Sequence, residues 1–156
     1  MGNLGRFRAA EEARTGRPAA NSQYKILVVD DSDDTREMMV KLLELEAFTV
    51  VTAQDGRAGL NVAAAELPDL IITDINMPNL NGIEMIRQLR TRPEFGGIPI
   101  MAMTAYGNGV AKEALEAGAD RAATKPVQFN SLVVEIRELL SISQSRGGPE
   151  PRAPGA

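Results

Sequence analysis

The chain has 156 residues, a formal net charge of −4 and a pI near 5.0, and it contains neither Cys nor His. A chain of this length suits one domain with a substantial core. The absence of Cys excludes disulfides and thiolate chemistry, and the absence of His excludes phosphohistidine, an imidazole base and an ordinary zinc site. The acidic balance argues against a general nucleic-acid-binding surface, and any metal site must use oxygen ligands.

The two ends of the chain have compositions that predict disorder. Residues 1–23 are polar and rich in Ala, Arg and Gly, and residues 144–156 are mostly Ser, Arg, Gly, Pro and Ala. Neither segment has enough apolar surface to fold alone. No apolar stretch is long enough to cross a bilayer, and residues 1–21 lack the apolar core of a signal peptide. We expect a cytoplasmic protein with one folded domain, residues 24–143, and no output domain after it.

Between these ends, short apolar runs alternate with segments of helical periodicity. Strands are predicted at 25–29, 49–53, 70–74, 98–103 and 120–124, and helices at about 33–46, 57–66, 82–91, 110–117 and 129–141. Five strands alternating with five helices predict an α/β fold, in which a parallel sheet is covered on both faces.

Helix starts and apolar faces can also be assigned from the sequence. Ser32 or Asp33, and later Asp55, are residue types that cap helix N-termini. In the first helix, apolar side chains recur at helical spacing, and we expect its methionines to fill the core rather than form a binding surface. The residues of this face are Met38, Met39, Leu42 and Leu45.

The predicted strands end in residues that can handle phosphate and metal. Asp30 and Asp31 follow the first strand, Asp74 ends the third, Thr104 follows the fourth and Lys125 the fifth. Open α/β sheets bind ligands at the carboxyl ends of their strands, so these side chains should meet. Three adjacent carboxylates favour a cation among them, and Mg²⁺ prefers oxygen ligands. The set predicts phosphoryl transfer onto Asp74, with Asp31 and Asp74 on Mg²⁺, Asp30 acting through water, and Lys125 and Thr104 contacting phosphoryl oxygens.

Each of these residues also has an ordinary structural interpretation when taken alone. Lys125 is then a solvated lysine, Thr104 a β-branched strand end, and Asp30 with Asp31 a capping turn. The functional interpretation is favoured because the required chemical groups occur together on four separate strand ends.

Four segments, KILVVDDS, DLIITDINMPNLNG, IPIMAMTA and ATKP, resemble the receiver domain of two-component response regulators over about residues 24–141. The resemblance implies a flavodoxin-like (βα)5 fold, a doubly wound parallel five-stranded sheet of order 2-1-3-4-5. It implies that Asp74 accepts phosphate from a sensor histidine kinase or a histidine phosphotransfer protein. It also implies that the backbone carbonyl of Asn76 joins Asp31 and Asp74 on Mg²⁺, and that the peptide bond before Pro126 is cis.

The resemblance implies an output switch as well, and here the sequence departs from the family. Thr104, followed by Ala105, would move toward the phosphoryl group, and an aromatic ring three residues before Lys125 would rotate inward behind it. The residue at that position is Ala122, which has no ring. Tyr106 is a candidate either to cover the site and slow hydrolysis of the acyl phosphate, or to replace the missing ring.

Several functions remain open at this point. The leading one is a stand-alone receiver, a monomer or weak homodimer rather than an enzyme, which binds an unknown downstream protein when phosphorylated. A receiver-like scaffold with phosphorylation-independent output is an alternative. A Mg²⁺-dependent phosphohydrolase with an Asp nucleophile would need an acid/base Asp where Asn76 stands. A flavin carrier is disfavoured because the acidic first loop, DDSDD, would repel the flavin phosphate.

Overall fold

Strands and helices alternate along the whole described part of the chain, which in this computed structural model is residues 24–105 and 108–145. The strands are β1 (Lys25–Val29), β2 (Thr49–Ala53), β3 (Leu70–Asp74), β4 (Ile100–Thr104) and β5 (Arg121–Thr124). The α-helices are α1 (Asp33–Leu45), α2 (Gly56–Glu66), α3 (Gly82–Arg90), α4 (Asn108–Ala117) and α5 (Phe129–Ser145), and Pro93–Phe95 forms a short 3-10 helix. Within the described ranges, no helix combines the length and apolar character needed to span a membrane.

The five strands form one parallel sheet in the order β2-β1-β3-β4-β5. This confirms the predicted flavodoxin-like order 2-1-3-4-5. The register places Val29 beside Thr73, Asp74 beside Met103 and Thr104 beside Thr124. The carboxyl ends of four neighbouring strands are therefore nearly level, and the residues that follow them lie along one edge of the sheet.

Two apolar layers cover the sheet, one on each face. On one side, Leu27, Val29 and Ile71 pack beneath residues of α2, α3 and α4. On the other, Ile26, Val28, Leu70 and Ile72 pack beneath residues of α1 and α5. Because both faces are buried, successive strand residues are apolar, which explains the continuous runs in the sequence. Each buried aliphatic side chain contributes roughly 1.5–3 kcal/mol to folding, so the two layers stabilise the sheet on which the strand ends lie.

Helix α1 corrects one prediction from the sequence. Met39 and Leu43 face the core, whereas Met38 is 51% exposed and Leu45 is 80% exposed. The prediction that both methionines fill the core is therefore wrong for Met38. The apolar face of α1 is centred one residue further along the helix than the spacing of its methionines and leucines suggested, because Leu43 rather than Leu45 turns toward the sheet.

Element ends differ from the predictions by a few residues. Strand β4 begins at Ile100 instead of residue 98, since Pro99 has no amide hydrogen to donate to a sheet ladder. Helix α4 begins at Asn108, two residues earlier than predicted. Helix α5 continues to Ser145, beyond the predicted end at Ser141 and into the segment predicted to be disordered.

Arg90 ties several elements together at the edge of the sheet opposite the carboxyl ends of the strands. Its guanidinium donates to the carbonyls of Gly118 at 2.9 Å and Phe95 at 2.8 Å, and to Asp120 Oδ2 at 3.1 Å. Asp120 Oδ2 also accepts from the amide of Ile100 at 2.9 Å. The end of α3 is thereby joined to the starts of β4 and β5, far from the acidic strand ends.

Candidate functional site

The sheet register brings the side chains that follow four strands to one rim. Asp30 follows β1 and its amide donates to the Ala53 carbonyl at 3.1 Å, which continues the ladder with β2. Asp74 is the last residue of β3 and Thr104 the last of β4. Lys125 follows β5, and its amide donates to the carbonyl of Thr104 at 2.7 Å. Each functional group is thus placed by backbone pairing rather than by a flexible loop.

Three carboxylates converge at this rim. Asp30, Asp31 and Asp74 each offer an oxygen atom, and these atoms all lie within 4.8 Å of one another. Asp30 is 5% exposed and Asp74 is 9% exposed, whereas Asp31 is exposed to solvent. The Nζ atom of Lys125 lies 3.5 Å from Asp30 Oδ2 and 3.5 Å from Asp74 Oδ1. One ammonium group therefore bridges the two buried carboxylates.

The surroundings of Asp74 raise the pKa of its carboxyl group. Burial is the main cause, because it disfavours the charged form, and the negative charge of Asp30 acts in the same direction. Lys125 opposes the rise, as does the hydrogen bond that Asp74 Oδ1 accepts from the amide of Ile75 at 2.9 Å. The charge on Asp74 is thus only partly compensated by the protein.

Hydrogen bonds from α1 fix the acidic loop that follows β1. Asp30 Oδ1 accepts from the amide of Ser32 at 2.9 Å, and Ser32 Oγ caps α1 by accepting from the amide of Thr35 at 3.2 Å. The guanidinium of Arg36 donates to the Asp30 carbonyl at 2.6 Å and forms an ion pair with Asp33. Sequence reasoning missed this role of Arg36. Its spacing of three residues from Asp33 predicts only the ion pair.

The donor set fits a hard divalent cation. All three side chains present carboxylate oxygens, and they carry three negative charges against the single positive charge of Lys125, an excess of two. Mg²⁺ carries that charge and is commonly held by one or two carboxylates with waters and phosphate oxygens. Asn76 lies on the exposed loop two residues beyond Asp74. Its carbonyl as a further ligand stays a prediction.

The remaining residues predicted from the sequence have distinct positions. Thr104 is completely buried, Ala105 is exposed, and Ala122 is half-buried on β5, where it packs against the α2–α4 side of the core. Tyr106 lies outside the described residues. The peptide bond between Lys125 and Pro126 is cis.

An apolar groove borders the site and was not predicted. It has a volume of about 460 Å³, lies between α1 and the start of α5, and has Lys125 among its lining residues. The exposed side chain of Met38 forms part of its wall. No spacing in the sequence marks Met38 as the outward residue, because neighbouring helix residues can both be buried, as Met85 and Ile86 of α3 are. The other lining residues are Thr35, Met39, Leu42, Met103, Pro126, Val127, Phe129 and Leu132.

Comparison with known proteins shows which family has this fold and these strand-end residues. Residues 26–137 match the family described as the response regulator receiver domain. The chain belongs to the response regulator receiver family. It is 38% identical over 117 residues to the response regulator MprA of Mycolicibacterium vanbaalenii, a match that covers 74% of this chain and 50% of that protein. It is 37% identical over 116 residues to the response regulator PleD of Caulobacter vibrioides, covering 74% of this chain and 26% of PleD.

Solved receiver structures share the fold. The receiver domain of a signal transduction histidine kinase from Syntrophus aciditrophicus superposes with a TM-score of 0.73 at 29% identity, covering 84% of this chain and 96% of that domain. The chemotaxis response regulator CheY4 of Vibrio cholerae gives a TM-score of 0.70 at 30% identity, covering 74% of this chain and 98% of CheY4. By contrast, the receiver spans about half of MprA and about a quarter of PleD.

Proposed function

We propose that this receiver accepts a phosphoryl group on Asp74 from the phosphohistidine of a sensor histidine kinase or a histidine phosphotransfer protein. The observation that carries the proposal is the meeting of three carboxylates with Lys125, whose Nζ lies 3.5 Å from Asp74 Oδ1. A buried carboxylate beside one ammonium and two further acidic groups has the chemistry of an aspartyl-phosphate acceptor.

In the reaction, a carboxylate oxygen of Asp74 attacks the phosphorus atom and forms a new O–P bond. The P–N bond to the donor's imidazole breaks, and its electron pair stays on the imidazole nitrogen. These 156 residues contain no His, so the phosphohistidine donor lies outside them. Lys125 offers its ammonium to one phosphoryl oxygen, and Thr104 offers its hydroxyl to another. Asp74 must be ionised to attack, so the raised pKa of Asp74 predicts that the rate falls at acidic pH.

The metal site in this proposal consists of Asp31, Asp74 and the carbonyl of Asn76, with Asp30 acting through water. When bound, Mg²⁺ supplies the charge that offsets the carboxylate repulsion and polarises the phosphoryl oxygens. The support is the excess of two negative charges at the rim, formed entirely by oxygen ligands.

The phosphorylation test is incubation with acetyl phosphate or a phosphorylated sensor kinase, with and without Mg²⁺, followed by intact mass measurement. We expect a gain of one phosphoryl group that requires Mg²⁺ and disappears in Asp74→Asn. Labelling that persists in Asp74→Asn would contradict the assignment of the nucleophile.

The apolar groove indicates where the phosphohistidine-bearing partner would dock on this receiver. A donor that reaches Asp74 must contact the surface around the rim, and the groove is lined both by Lys125 of the rim and by the apolar side chain of Met38. We therefore expect Met38→Glu to slow transfer from a phosphorylated kinase at least tenfold while leaving labelling by acetyl phosphate unchanged. Leu45→Glu is the matched control, because Leu45 is 80% exposed on the same helix but does not line the groove.

Output in this proposal is phosphorylation-dependent binding to a downstream protein, and the receiver acts in the cytoplasm as a monomer or weak homodimer rather than as an enzyme. A pull-down that compares the phosphorylated and unphosphorylated forms tests it. The absence of a ring at Ala122 supports a second candidate, a receiver whose output is independent of phosphorylation. Equal capture by both forms would favour that candidate.

Tyr106 enters the proposal as a residue that slows hydrolysis of the acyl phosphate or replaces the ring absent at Ala122. An unchanged lifetime of the phosphorylated form in Tyr106→Ala would exclude the first role. Loss of phosphorylation-dependent binding in the same variant would support the second.

A further inference from the structure

The turn between β2 and α2 contacts the loop between β3 and α3, although neither belongs to the acidic rim itself. Asp55 caps α2 with one carboxylate oxygen, which accepts from the amide of Ala58 at 2.8 Å. Its second oxygen accepts from the side-chain amide of Asn79 at 2.7 Å. A helix cap needs only the first of these bonds. The second joins two segments that are 24 residues apart in sequence.

Backbone contacts strengthen the same connection. The amide of Gly56 donates to the carbonyl of Leu80 at 2.9 Å. A Cβ atom at Gly56 would lie 2.1 Å from that carbonyl oxygen, so the approach is possible only with glycine. Asn79 has a φ angle of 66°, a left-handed conformation that Asn tolerates better than most residues. The turn therefore holds the loop in one specific backbone shape.

The loop is also fixed where it joins the strand and the helix. The amide of Gly82 donates to the carbonyl of Ile75 at 2.9 Å, and Asn81 caps α3 by accepting from the amide of Glu84 at 2.9 Å. Between these contacts lies Asn76, exposed and two residues beyond Asp74. Asp55 is 6% exposed, and the hydrogen bonds from Ala58 and Asn79 hold its pKa below the ordinary value. The carboxylate thus remains charged and available to hold the loop.

We propose that Asp55 and Asn79 are positioning residues for the divalent cation, because their hydrogen bond fixes the loop that presents the carbonyl of Asn76 to the metal. This inference rests on the proposed function and extends it to residues outside the rim. Mg²⁺ requires nearly ideal octahedral geometry, so a displaced carbonyl weakens binding. Residues that orient metal ligands typically change metal affinity by about 10- to 100-fold when they are replaced.

Asn79→Gly is the decisive variant. Glycine accepts the left-handed backbone, so the substitution removes the amide without adding strain at φ 66°. Asp55→Asn is the complementary variant, since its amide group can keep the bond to Ala58 but then turns an NH₂ group toward Asn79. Asp120→Asn is the matched control. Asp120 also accepts one backbone and one side-chain hydrogen bond, but at the opposite edge of the sheet.

Mg²⁺ binding is measured by NMR titration, following the amide of Met77, which is bonded to the carbonyl of Asn76, and urea unfolding is measured on the same samples. We expect Asn79→Gly and Asp55→Asn to weaken Mg²⁺ binding about tenfold, and Asp120→Asn to leave it within twofold of the wild type. The Mg²⁺ concentration for half-maximal labelling by acetyl phosphate should rise by the same factor in both variants, with the rate at saturating Mg²⁺ unchanged.

Three results would overturn the proposal. In the first, wild-type protein binds Mg²⁺ through Asp31, as shown by loss of binding in Asp31→Asn, yet both loop variants bind within twofold of it. In the second, Asp120→Asn weakens Mg²⁺ binding as much as the two loop variants do, which would show that their weaker binding results from general destabilisation of the fold. In the third, wild-type protein binds no Mg²⁺ at all, and then the proposed function falls together with this inference.

Discussion

Asp74→Asn should make the metal-free protein more stable at neutral pH, although it removes the residue on which function depends. Asn keeps the shape of the side chain, and its oxygen can still accept from the amide of Ile75. The substitution therefore isolates one change, the loss of a negative charge from a buried cluster.

The distances allow an estimate of the competing terms. At an effective dielectric constant of about 20, attraction between Lys125 and Asp74 over 3.5 Å is worth about 5 kcal/mol. Repulsion from Asp30 over 4.8 Å or less is worth at least about 3.5 kcal/mol. The difference favours the charged form by at most about 1 kcal/mol, because repulsion from the exposed Asp31 within the same distance reduces it and water screens the partly exposed Lys125. Since the pKa of Asp74 is nevertheless raised, the cost of burying its charge outweighs this difference. We expect Asp74→Asn to increase the free energy of unfolding, by the usual order for a single substitution, about 1 kcal/mol.

The pH dependence has a definite sign. A carboxyl group with a raised pKa in the folded state loses its proton first in the unfolded chain, so the wild type loses stability as the pH rises from about 3.8 through the raised value. Below this window Asp74 is protonated in both states, and the advantage of the variant should disappear. Asp74 in the wild type thus costs the most stability above the window.

Urea unfolding followed by far-UV circular dichroism measures the effect, because the chain contains no Trp for fluorescence. Titration with Mg²⁺ provides the internal control. Binding at 100 times the dissociation constant stabilises the folded state by about 2.7 kcal/mol, and this gain should appear in the wild type and shrink in Asp74→Asn. A variant that is less stable than the wild type at neutral pH, or an advantage that persists unchanged at pH 3, would refute the reasoning.

Three further predictions concern the frame around the site. Gly82→Ala should lower the free energy of unfolding, measured with urea, by about 2 kcal/mol or more, because its Cβ would lie 2.3 Å from the carbonyl oxygen of Asp74. Gly96→Ala is the control, since the nearest atom to its Cβ would lie 3.7 Å away. Arg90→Ala should lower the free energy of unfolding by about 2–3 kcal/mol in the same assay, because the hydrogen bonds of its guanidinium are lost, yet leave the phosphorylation rate unchanged. Slower labelling would show that these hydrogen bonds affect the rim. Lys125→Met should both destabilise the metal-free protein at neutral pH and slow labelling by acetyl phosphate at least tenfold, and equal labelling would remove Lys125 from the mechanism.

The strand ends could be predicted from the sequence because parallel strands buried on both faces leave an unmistakable pattern. The run before Asp30 is continuously apolar, the run before Asp74 is interrupted only by Thr73, and each stops at an acidic residue. Right-handed crossovers then place all the carboxyl ends on one edge. The alternation of strands and helices therefore predicted that Asp30, Asp31, Asp74 and Lys125 meet at one edge, and the structure brings these four side chains together.

The contacts that hold the site could not be predicted in the same way. The bond between Asp55 and Asn79 joins residues 24 positions apart, and nothing in either local sequence indicates that one helix cap has a spare carboxylate oxygen. The outward turn of Met38 depends on how α1 rotates over the sheet, which a spacing of three or four residues leaves undetermined by about one position. Tertiary geometry decides both.

Phosphorylation would increase the negative charge at the rim, and this receiver has no aromatic ring at position 122 that could rotate in response. A phosphoryl group replaces the single charge of Asp74 by about two negative charges, which increases the attraction on the Thr104 hydroxyl and the Lys125 ammonium. These two residues are directly joined, since the amide of Lys125 donates to the carbonyl of Thr104 at 2.7 Å. A displacement of Thr104 would therefore reach the start of the β5–α5 connection through this backbone hydrogen bond. Because Ala122 has only a methyl group, we expect this backbone hydrogen bond, rather than the rotation of a ring, to couple Thr104 to the segment that leads into α5.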